Sequence, residues 1–168
     1  MMTPPNIDLP TEAAHILEAA KRGYLTAEAI RAWADRMIAA LDVPPHWLIE
    51  VATLPGERLS AFVDYLSPEA GDLPASEQLK ITLAEFRAGR LAFGDTIRVS
   101  FEIMVGDFEA PNWGEPDDFP DALAALLVEW DCSPDFPEFS EDFQMRCEAV
   151  FAALLDAGED SGSLNPAG

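Results

Sequence analysis

The chain has 168 residues, 49% of them hydrophobic, which is enough apolar material for a substantial core and too much for a disordered tail. Thirty-one Asp and Glu against ten Lys and Arg give a net charge of −21, a field that repels nucleic-acid backbones and anionic lipid. No apolar run approaches the roughly 20 residues that span a bilayer, and the start MMTPPNIDLP lacks the basic lead and apolar stretch of a secretory signal, so a cytoplasmic location is expected.

Residues 1 to 9 read as a loose lead in which Pro4 and Pro5 oppose helix. Thr11 is expected to cap a helix running to Arg22, with Ala13, Ile16, Leu17 and Ala20 on its apolar side and Gly23 as its stop. Only Gly23-Tyr24-Leu25 separates it from the next helix, so the two should form a hairpin. Thr26 caps this second helix, and Leu25 and Ile30 stand at the spacing of a hydrophobic staple. Ile30, Trp33, Ala34, Met37, Ile38 and Leu41 recur every three or four residues and mark one buried face. Asp42-Val43-Pro44-Pro45 ends it, because proline supplies no helical N–H and restricts the residue before it. Pro45 opens a short third helix with Trp47, Leu48, Val51 and Leu54 inward.

Pro55-Gly56 is the next break, and Glu57 to Leu66 reads as a helix buried through Leu59, Phe62, Val63 and Leu66. After the proline- and glycine-bearing loop 67 to 74, Ser76 is expected to cap a helix buried through Leu79, Leu83 and Phe86, with Gly89 interrupting or ending it. Residues 95 to 105, DTIRVSFEIMV, fit two periods. Ile97, Val99, Phe101, Ile103 and Val105 alternate as in a strand, whereas Ile97, Phe101, Met104 and Val105 recur as in a helix. With no second strand to pair its backbone groups, helix is preferred, with Asp95 as cap and Gly106 as stop. Proline, glycine and carboxylates make 107 to 121 a long loop, and a loop of about 15 residues is often functional. Pro120 opens a helix carrying Leu123, Leu126, Leu127 and Trp130. A second acidic loop, 131 to 138, precedes a last helix capped by Ser140, striped by Phe143, Cys147, Val150, Phe151 and Leu154, and ended by Gly158. The expectation is an all-α fold: a compact bundle of seven or eight short helices in one domain, 1–158, with a disordered tail at 159–168 and a strand or hairpin at 95–105 as the open alternative.

Little in the chain looks like an active site. His15 and His46 lie on different predicted helices, and there is no HExxH, no paired CxxC and no phosphate-cradling glycine loop. Glu115, Asp117, Asp118 and Asp121 are hard oxygen donors, but their spacing is not that of a calcium-binding EF-hand. No catalytic residue, metal ligand or cofactor is therefore assigned. Cys132 and Cys147 are read as reduced thiols, with Cys147 in the core.

The charge is unevenly placed. Residues 107 to 168 carry sixteen acids and one base, Arg146, a net −15, against −6 for residues 1 to 106. Phe108, Trp113 and Phe119 are set among Asp107, Glu109, Glu115, Asp117 and Asp118, and Phe136 and Phe139 among Asp135, Glu138 and Glu141. Aromatic anchors supply binding energy while carboxylates steer a basic partner. The candidate partner-binding residues are Phe108, Trp113, Glu115, Asp117, Asp118, Asp135 and Glu138. The competing reading folds the aromatics inward to pin the loops.

The segment GYLTAEAIRAWADRMIAALDVPPHWLIEV, chiefly Trp33-Ala34-Asp35 and Pro44-Pro45-His46-Trp47-Leu48, resembles small acidic helical immunity-type proteins of bacteria over residues 11 to 66. The resemblance implies a protein that binds and neutralises a toxin made by the same cell, often a basic nuclease. It transfers no individual binding residue to this chain. The expected function is a non-enzymatic module for a basic protein partner, with no nucleic acid or membrane partner. A structural or housekeeping domain charged for solubility is the alternative, followed by a metal-dependent enzyme using loop carboxylates.

Overall fold

A computed structural model describes residues 6–106, 119–132 and 140–162, with side chains to residue 157. Among them are eight α-helices and no strand, so the all-α expectation holds. The helices gather into two compact units, Met1–Leu73 and Pro74–Gly168.

The first unit holds α1 (Leu9–Lys21), α2 (Ala27–Ala40), α3 (His46–Thr53) and α4 (Leu59–Leu66). The α1 helix begins two residues earlier than Thr11. Pro10 occupies the first turn, where its fixed φ suits a helix, and the cap is Asp8, whose carboxylate accepts from the Thr11 N–H and hydroxyl. Its end is a Schellman motif: Gly23 at φ 74° lets its own N–H reach the Ala20 carbonyl and the Tyr24 N–H reach that of Ala19. The α2 cap is as expected, with Thr26 accepting from the Ala29 N–H. Ile30, Trp33 and Ala34 then meet Leu48 and Val51 of α3, Phe62 and Leu66 of α4, and Ala13 and Ala20 of α1 in one core. Helix α2 packs on α3, α1 on α4, and α4 also touches α2 and α3. The small residues Ala13 and Ala34, both fully buried, allow that close approach.

Arg31 fastens this unit. Its Nη1 donates to the carbonyls of Leu54 at 3.0 Å and Gly56 at 2.9 Å, Nη2 donates to Glu57 at 3.3 Å, and the guanidinium lies 5.5 Å from the Phe62 ring centroid. Residues 54 to 57 are thereby held as a connection, and α4 starts at Leu59 and not at Glu57.

The second unit holds α5 (Ala75–Arg87), α6 (Phe93–Val105), α7 (Asp121–Asp131) and α8 (Glu141–Gly162). Each helix packs on its sequence neighbour, and α8 returns to α5 to close the ring. Leu79, Leu83, Ile97, Ile103, Leu123, Leu127, Cys147 and Phe151 fill the centre. Rings of Phe86, Phe93, Phe143 and Phe151 make a chain of mostly edge-to-face contacts, with centroids 5.5 Å apart for Phe86 and Phe151. Such pairs add about 0.5–1.5 kcal/mol each beyond burial.

In this second unit, two caps differ from expectation. Helix α5 starts at Ala75 behind Pro74, which puts Ser76 inside the first turn, and α6 starts at Phe93 behind Ala92, which puts Asp95 at the third helical position. The strand alternative at 95–105 is excluded. A strand would turn Ser100 and Met104 to solvent, yet they are 0% and 4% exposed, whereas Phe101 and Val105 are only partly buried. Gly106 ends α6 at φ 71°. Ser140 caps α8 as expected, accepting from the Phe143 N–H at 3.1 Å, but the helix runs past Gly158 to Gly162.

Ser100 Oγ is buried without a hydrogen-bond partner among the described residues. An unpaired buried hydroxyl is costly, and alanine favours helix, so Ser100→Ala should hold or raise stability by up to about 1 kcal/mol in urea titrations. A clear loss would mean that the hydroxyl has a partner. Arg31→Lys should do the opposite and lower stability by about 1–3 kcal/mol, because an ammonium reproduces neither the planar fork nor the ring contact.

Candidate functional site

The residues expected to meet a partner fall outside the described residues: Phe108, Trp113, Glu115, Asp117 and Asp118 lie within 107–118, and Asp135 and Glu138 within 133–139. The structure does define the frame that holds both segments. The first joins α6 to α7. It leaves at Gly106 and returns at Phe119, which is 6% exposed and packed in the α5–α8 core. Of the aromatics set among carboxylates, Phe119 therefore serves the core. The second joins α7 to α8, leaving at Cys132 and returning at the Ser140 cap. The points of attachment thus sit at opposite ends of α7, whose 11 residues measure about 16 Å.

Between those ends, α7 and α8 are clamped by Arg146, the single base of residues 107 to 168. Its Nη1 and Nη2 donate to the two Glu129 oxygens at 2.9 and 2.7 Å, and its Nε donates to Asp142 at 3.0 Å. This fork holds the Glu129 carboxyl below its ordinary pKa, chiefly through the hydrogen bond from Arg146, and raises that of the guanidinium. The Asp142 contact is a helical i, i+4 pair readable from sequence, whereas Glu129 is 17 residues away and was not.

The other bases of this unit are engaged in the same way. Lys80 pairs with Glu77, Arg87 with Asp156, Arg90 with Glu85, and Arg98 with both Asp95 and Glu102. Residues 74 to 168 carry twenty acids and five bases, so with every base already on a carboxylate the unit retains a net −15. Asp121, Asp131, Glu141 and Glu148 are exposed contributors to that surplus.

The remaining reactive side chains are dispersed. His15 is half-buried on α1 with Nδ1 2.8 Å from the Thr11 carbonyl, and His46 is exposed at the start of α3, 3.6 Å from Glu50. Among the described residues no three His, Cys, Asp or Glu side chains are grouped to hold a metal ion; of the four loop carboxylates weighed as donors, only Asp121 is described, and it is exposed in the first turn of α7. Both cysteines are free. Cys132 is exposed, while Cys147 is fully buried in the core, and burial pushes its thiol up to about 12.

Two measurements follow from these environments. A thiol reagent at neutral pH should modify Cys132 in the native protein and leave Cys147 untouched until denaturant is added, because thiolate and access are both lacking there; two equally fast modifications would contradict the burial. Replacing Arg146 with Gln should let the Glu129 carboxyl titrate near its ordinary 4.5, seen as an upward shift in its side-chain NMR titration. Since that pKa is depressed in the folded state, the clamp's contribution is present at neutral pH and fades as pH falls below 4.5. Comparison with known protein families, with characterised proteins and with solved structures finds no match, so the site is interpreted from its own residues.

Proposed function

We propose that this chain is a non-enzymatic, acidic protein-binding module whose C-terminal unit engages a cationic protein. The observation that carries the reading is the charge balance of residues 74 to 168: all five bases are engaged by carboxylates, and −15 remains for an external partner to meet. A field of that size steers a basic protein and raises its association rate by about 10 to 1,000-fold. Nucleic acid and anionic membrane are repelled by the same field. No helix among the described residues is long and apolar enough to cross a bilayer.

In this reading the two segments attached to α7 form the contact. Trp113 and Phe108 anchor it, and Glu115, Asp117, Asp118, Asp135 and Glu138 steer it. The resemblance of residues 11 to 66 to immunity-type proteins supports a basic toxin, such as a nuclease, as the partner. Neutralising such a toxin requires tight binding and no chemistry.

Capture from the native host supplies the partner, and rate measurements separate steering from anchoring. Neutralising Asp117, Asp118, Asp135 and Glu138 together should lower the association rate and flatten its salt dependence, while Trp113→Ala should mainly raise the dissociation rate. An acidic partner, or an association rate at low salt unchanged by neutralisation, would refute the assignment and leave the charge to solubility.

A further inference from the structure

We draw no further inference here: the strongest candidate, the exposed apolar side chains Val128 and Met145 on the surfaces of α7 and α8, each one helical turn from a carboxylate, carries nothing, because nothing in the structure shows what covers them.

Discussion

Helices of eight residues do not persist alone in water, because nucleation fixes several residues before the first hydrogen bonds compensate. Helices α3 and α4 are of that length and neither has a side-chain cap. They form because Leu48, Val51, Phe62 and Leu66, all fully buried, are removed from water together against α2. Each such side chain contributes about 1.5–3 kcal/mol on full burial. Secondary structure in the first unit is thus a consequence of its tertiary core, and Ile30 and Trp33 on α2 are the surface on which that core condenses. The same dependence gives Arg31 its place: it reaches across to the connection between the two shortest helices.

That hierarchy decides what could be read from the sequence. Stripes such as Ile30, Trp33 and Ala34, or Phe143, Cys147 and Phe151, repeat at helical spacing and are buried as expected. Helix starts were less legible. At α1 and α5 a polar residue, Thr11 or Ser76, reads as the cap, yet the caps are Asp8 and Pro74 and the helices begin at Leu9 and Ala75. Within the first turn of α1, Pro10 fits because its φ already suits a helix and its missing N–H is one the helix would leave unpaired. At 95–105 both periods fitted, and burial of Ser100 and Met104 decided for helix. Composition names hydrophobic residues but not the neighbours that will enclose them.

The candidate site was legible only as composition. Sixteen carboxylates among aromatics announce a charged surface, but the letters do not distinguish an aromatic that closes the core, as Phe119 does, from one that meets a partner. Long-range pairings were equally hidden, because Glu129 and Arg146 meet only after α7 and α8 have packed. What the structure adds is the charge balance of a whole unit. Local repulsion is relieved pair by pair, while the total is left unneutralised.

Arg31 differs from the arginines of the second unit in its acceptors. Arg31 rests mainly on the neutral carbonyls of Leu54 and Gly56, with one carboxylate at the rim. Neutral acceptors are neither titrated by acid nor strongly screened by salt. In residues 74 to 168 the five bases bind carboxylates, and the pairs of Arg87, Arg98 and Arg146 lie at exposed positions where ionic strength acts directly. Salt therefore acts more directly on the exposed pairs of the second unit, such as Arg87 with Asp156 and Arg98 with Glu102, than on the Arg31 fastening, and the second unit also carries the larger excess of negative charge.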